Sequence, residues 1–96
     1  LTAPGQPLEM ETRIIRGRPT RVWKNAPPSL AHCFAAGRAH GERTFMVLDD
    51  ERVTFEAFAR ATLALAQQLV ADGITRGDRI AVVMRNVPEW PVAFYA

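Results

Sequence analysis

The chain is poor in the residues that carry most enzyme chemistry: 96 residues hold one cysteine, one serine, one lysine and two histidines. A single Cys33 excludes an internal disulfide framework. It falls within an apolar helical pattern, which points to a structural thiol rather than a nucleophile. His32 and His40 lack the Cys or carboxylate company of a zinc site, and they are assigned to a helix surface and a loop. Ser29 has no G-x-S-x-G elbow around it. Gly73 and Gly77 are followed by Asp78, where a Walker loop demands Lys. Asp49, Asp50 and Glu51 are adjacent in a turn, which suits solvation and not paired-carboxylate catalysis. No apolar run approaches the ~20 residues of a membrane helix, and residues 1–7 lack the basic and apolar regions of a signal peptide. A cytoplasmic location is the default expectation. Leu1 stands where an initiator Met would, so an excerpted chain is expected.

What is present is an ordinary globular composition, 48% apolar and 23% charged. A chain of this size is expected to bury roughly 60–65% of the surface its unfolded form exposes. The net charge of +2 is unevenly spread. Arg13, Arg16, Arg18, Arg21 and Lys24 crowd the first quarter, against Glu9 and Glu11. A basic stretch can attract phosphates or anionic lipid. A solvated strand pair with outward arginines is the preferred reading, and without interleaved aromatics no nucleic-acid partner is expected.

Residues 1–8 read as a flexible leader. Residues 9–23 read as two short strands, with Met10, Thr12 and Ile14 on one face and a turn at Gly17. The Asn25-Ala26-Pro27-Pro28 run breaks this pattern. A helix capped by Ser29 follows, with Leu30, Cys33, Phe34 and Gly37 on one apolar face and a stop at His40-Gly41. Residues 44–48 and 52–54 form a hairpin around the acidic turn. The clearest element is a helix over 55–72, capped by Thr54, with Glu56 in its first turn. Phe55, Phe58, Ala59, Thr62, Leu65, Ala66, Leu69 and Val70 make its apolar stripe. Gly73 provides a left-handed C-cap, with Ile74 folding back. Residues 79–84, apolar on both faces, read as a buried parallel strand. A last helix opens with Asn86 as cap, Pro88 in the first turn and Glu89 reaching back in a capping box. This order implies an α/β sandwich on a mostly parallel sheet. The one place a ligand role is weighed is Arg85 and Asn86, because ligands of open α/β sheets bind outside the carboxyl ends of strands. The cap role of Asn86 is preferred.

From about Thr44 onward the chain resembles the adenylate-forming superfamily. The resemblance rests on V-T-F-E-A-F at 53–58, L-A-Q-Q-L-V-A-D-G-I at 65–74, G-D-R-I-A-V-V-M at 77–84 and N-V-P-E-W-P-V-A-F-Y-A at 86–96, all in register. The Pro88-Glu89-Trp90 form is most similar to acyl-CoA synthetases. The Arg16-Gly17-Arg18-Pro19 and Val22-Trp23-Lys24-Asn25-Ala26-Pro27 segments resemble bacterial fatty-acyl members. The resemblance implies that residues 9–96 are the N-terminal part of an AMP-binding large domain, a partial sandwich of mixed or parallel sheet with helices. It implies a parent that uses Mg-ATP to convert a carboxylic acid to an acyl-adenylate and passes the acyl group to coenzyme A. The family's Ser/Thr/Gly-rich loop ending in Pro-Lys-Gly, its Tyr-Gly-x-Thr-Glu motif, its ribose-binding Asp and its late lysine have no counterpart here. Lys24 precedes every family cue. The expectation is therefore an inactive piece with no catalytic, cofactor or metal residue, whose uncovered apolar surface favours self-association. A free-standing, non-catalytic interaction module is the alternative, as is a piece of an aryl-CoA ligase or peptide-synthetase adenylation domain.

Overall fold

In the computed structural model, which describes residues 1–96, four strands and three helices follow one another. They are β1 (Met10–Ile15), β2 (Arg18–Trp23), α1 (Leu30–Arg38), β3 (Thr44–Leu48), β4 (Glu51–Thr54), α2 (Phe55–Ala71) and α3 (Glu89–Tyr95).

Local chemistry sets most of the boundaries. β1 and β2 pair antiparallel in unbroken register from Met10↔Trp23 to Ile15↔Arg18. The turn between them has positive φ at both central residues, 50° at Arg16 and 78° at Gly17. That is the type I′ geometry whose twist matches an antiparallel pair. Ser29 Oγ accepts from the His32 N–H to cap α1, and Thr54 Oγ1 accepts from the Ala57 N–H at 3.0 Å to cap α2. α2 ends in a Schellman motif. The Ile74 N–H reaches the Leu69 carbonyl, the Gly73 N–H reaches Val70, and Gly73 takes φ 96°.

β3 and β4 form the second antiparallel pair, joined by Asp49-Asp50, with β4 already begun at Glu51. The register jumps from Thr44↔Thr54 to Met46↔Val53, leaving Phe45 as the extra residue of a bulge. Its ring lies 4.6 Å from Phe55 and 4.9 Å from Phe58, centroid to centroid. Phe58 also meets Phe34 of α1 at 5.8 Å and Tyr95 of α3 at 5.8 Å, both edge-on. This aromatic cluster ties α1, α2, α3 and the second hairpin together. Beneath it, Thr62 is buried and satisfied by donating its hydroxyl to the Phe58 carbonyl at 2.8 Å.

Phe58, Ala59 and Thr62 are the only buried residues. The accessible surface is 7957 Å². A compact protein of this mass would expose about 5,500 Å², and the unfolded chain about 15,500 Å². Folding therefore covers about half of the surface, short of the expected 60–65%. The radius of gyration, 16.6 Å, likewise exceeds the ~12.5 Å of a compact 96-residue chain.

Three sequence-based expectations change. Residues 79–84 join no ladder and are largely exposed, Val83 almost completely. The four strands pair as two separate hairpins, and this apolar segment adds to neither of them. The observed class is mixed α/β with two small antiparallel sheets. Val70 leaves the α2 stripe and is 71% exposed, while Leu65, Ala66 and Leu69 are half-buried, because the partners of α2 cluster on its first half. Asn86 does not cap α3; the cap position falls to Pro88, with no side-chain cap bond.

Candidate functional site

Two places bring together residues that a site could use. One is the corner singled out in the sequence. Asn86 begins the approach to α3 and lines an open groove with Met46, Val47 and Leu48 of β3 on one side and Val87, Pro88, Trp90 and Pro91 on the other. Arg85 and Asn86 are exposed. The Trp90 N–H is already held by the Val87 carbonyl at 3.0 Å, so the short helix presents few free donors. The groove is chiefly apolar, and none of the residues lining it is charged.

The other is a cavity of about 120 Å³ inside the aromatic cluster, walled by Phe34, Phe45, Phe55, Phe58 and Tyr95. Gly37 makes room for it: the Phe55 ring passes 3.6 Å from where a Cβ would stand. Cys33 and Arg38 reach its rim. Cys33 is half-buried, in keeping with a packing role. His32 lies on the α1 surface with Nδ1 2.7 Å from Ser29 Oγ, and the His40 ring lies 4.8 Å from Phe55, tilted by 44°. The alpha-carbon geometry at Gly37 and the bulge at Phe45 were not singled out from the sequence. A glycine at i+7 on an apolar helix face is the signal that could have marked the close approach.

The chemistry available in these places is limited. No three His, Cys, Asp or Glu side chains converge, and no buried side-chain nitrogen or oxygen is left without a partner. The acidic turn at 49–51 is exposed, with φ 50° at Asp49. At the five glycines with positive φ, no other part of the chain comes within 4 Å of where a Cβ would stand. The displaced carboxyl titration in the molecule belongs to the hairpin base. There, Lys24 Nζ donates to Glu9 Oε1 at 2.8 Å, and the Gly5 N–H donates to Glu9 Oε2 at 2.8 Å. The lysine bond, then the backbone bond, hold the Glu9 carboxyl below its ordinary range, and the same pairing raises Lys24.

Comparison with known proteins places this geometry. Residues 33–96, the portion containing the aromatic body, match the family described as AMP-binding enzyme, and the chain belongs to that family. It is 29% identical over 77 residues to 4-hydroxybutyrate–CoA ligase 2 of Metallosphaera sedula, covering 80% of this chain and 14% of that protein. It is 36% identical over 59 residues to triostin synthetase I of Streptomyces triostinicus, covering 62% of this chain and 11% of the relative. With acetyl-coenzyme A synthetase of Allorhizobium ampelinum it shares 34% identity over 65 residues, 62% of this chain and 10% of the relative. The chain thus spans about a tenth to a seventh of the length of these relatives. No solved structure matches it. No helix is long and apolar enough to cross a membrane.

Proposed function

We propose that the chain is the N-terminal scaffold of an AMP-forming acid–thiol ligase, and that it packs and orients while residues outside it perform the chemistry. The observation that carries this reading is the family match over the same 64 residues that build the aromatic body. The parent activates a carboxylic acid with Mg-ATP and transfers the acyl group to coenzyme A. Two of the three relatives are named as a CoA ligase and a CoA synthetase, which supports coenzyme A as the acceptor. A fatty acid is the favoured substrate class, supported by Pro88-Glu89-Trp90 and by the segments at 16–19 and 22–27. The cytoplasm, where ATP and coenzyme A are at hand, is the favoured location. Residues 79–84 are read as a strand of a parallel sheet whose neighbours are supplied from outside these 96 residues. None of the present residues is assigned to catalysis, to ATP, to coenzyme A or to a metal.

ATP–pyrophosphate exchange tests the division of labour. The 96-residue chain is expected to show no exchange with any carboxylic acid, while a longer protein carrying this segment shows it with Mg-ATP and a fatty acid. Exchange above blank by the purified 96-residue chain would move the chemistry into this segment.

The uncovered surface has a second consequence. Ile80, Val83 and Met84 with Trp90 and Phe94 form exposed apolar surface beside unpaired backbone groups, which favours pairing of two copies. Light scattering across a dilution series should show mass rising with concentration. A constant monomer mass at high micromolar concentration, with cooperative unfolding, would favour the free-standing module instead.

A further inference from the structure

We propose that the tip of the β1–β2 hairpin is a contact for an anionic lipid surface. The hairpin packs against no other element, so its tip projects from the body. Between residues 12 and 41 the sequence places six cations and no carboxylate. Arg13 is met by Glu11 and Lys24 by Glu9, but Arg16, Arg18 and Arg21 form no ion pair. Two of these charges stand at the tip, Arg16 in the turn and Arg18 facing Ile15, while Arg21, facing Thr12, lies in the base half of the ladder and donates to Met10 Sδ at 3.4 Å.

Charge alone would fit any polyanion; the aliphatic residues narrow the choice. Ile14 and Ile15 stand immediately before the turn, 69% and 45% exposed, and project to opposite faces of the hairpin. A convex tip with two aliphatic side chains ringed by arginines matches the boundary between lipid headgroups and acyl chains. There the isoleucines enter the apolar layer, and the arginine stems lie along it with their guanidinium groups on lipid phosphates. Single-stranded nucleic acid would call for an aromatic platform among the cations. The one aromatic of the hairpin, Trp23, is at its far end, opposite Met10. This inference is independent of the proposed ligase function: it uses residues outside the 33–96 family match.

Co-sedimentation of the 96-residue chain with vesicles tests it, using phosphatidylcholine alone against phosphatidylcholine mixed with phosphatidylserine. Binding is expected only with phosphatidylserine, and weaker at higher salt. Arg16→Asn keeps the type I′ turn, since Asn is favoured there, and Arg18→Thr keeps strand character. Each should weaken binding about fivefold, the effect of one cation near an anionic surface. Arg16→Lys and Arg18→Lys should bind like the parent chain, which separates charge from folding. Ile14→Thr should weaken binding with every charge retained. No binding to phosphatidylserine vesicles, or equal binding by the neutral variants, would overturn the proposal. So would equal affinity for duplex DNA or polyglutamate with no loss in Ile14→Thr, which would make the patch a general polyanion contact.

Discussion

The β1–β2 hairpin has six-residue strands, an unbroken register and a type I′ turn, whereas β3–β4 has strands of five and four residues and a bulge. Yet the shorter, irregular hairpin is the one built into the body. What docks it is the irregularity: the bulge turns Phe45 toward Phe55 and Phe58, where regular alternation would give its ring a different direction. The bonds from the Phe55 N–H to the Arg43 carbonyl and from the Glu56 N–H to Gly41 then fasten the start of α2 across the hairpin mouth. In β1–β2 the register is unbroken, but Ile14, Ile15 and Trp23 remain exposed. Good ladder geometry makes a hairpin; burial of apolar side chains makes it part of a core.

The comparison breaks first at Phe58. It is 6% exposed and joins Phe34, Phe45 and Tyr95, so Phe58→Ala should cost about 3–5 kcal/mol. Phe45→Ala, at a 39% exposed position, should cost less, about 1–2 kcal/mol. Amide hydrogen exchange should quicken throughout α2 in Phe58→Ala while the β1–β2 ladder keeps its protection. The two tryptophans give a second readout, since Trp90 belongs to the body and Trp23 to the outer hairpin. If the β1–β2 amides lose protection in step with α2, the two hairpins share one cooperative unit and the contrast between them fails.

The same contrast explains what could be read in advance. Caps and turns depend on a few adjacent residues, so Ser29, Thr54, Gly73 and the α2 helix stood as the sequence implied. The bulge at Phe45 was not legible, because it depends on where Phe55 and Phe58 come to lie. The segment at 79–84 shows the limit in reverse. Its apolar pattern describes a strand, but a strand exists only with a partner, and the segment pairs with neither hairpin. Asn86 is not the cap because α3 begins later, with Pro88 at the cap position. For the candidate site, the sequence marked Arg85 and Asn86; both are exposed, and Asn86 lines an open groove. The cavity at Gly37 came from long-range packing.

The smallest expected effect lies at the base of the outer hairpin, in the Glu9–Lys24 pair. Both groups are close to solvent, so salt screens them and their contribution is modest. Its direction with pH is nevertheless fixed. The Glu9 carboxyl is held below its ordinary range, so its contribution is complete above the unfolded value, about 4.3, and is lost as pH falls through the lower folded value. Lys24 is raised, so its contribution is complete below about 10.4 and is lost as pH rises through the higher folded value. Between those limits the pair should hold the leader to the hairpin through the Gly5 N–H. Carboxyl carbon NMR should show Glu9 titrating below the ordinary glutamate range, with the Gly5 amide losing protection over the same acid interval. Lys24→Gln removes the larger cause of the displacement, so the Glu9 midpoint should rise toward its ordinary value while the aromatic body is unaffected. A Glu9 midpoint unchanged by Lys24→Gln would mean that the Gly5 N–H alone holds the carboxylate, and that no ion pair ties the two ends of the outer hairpin.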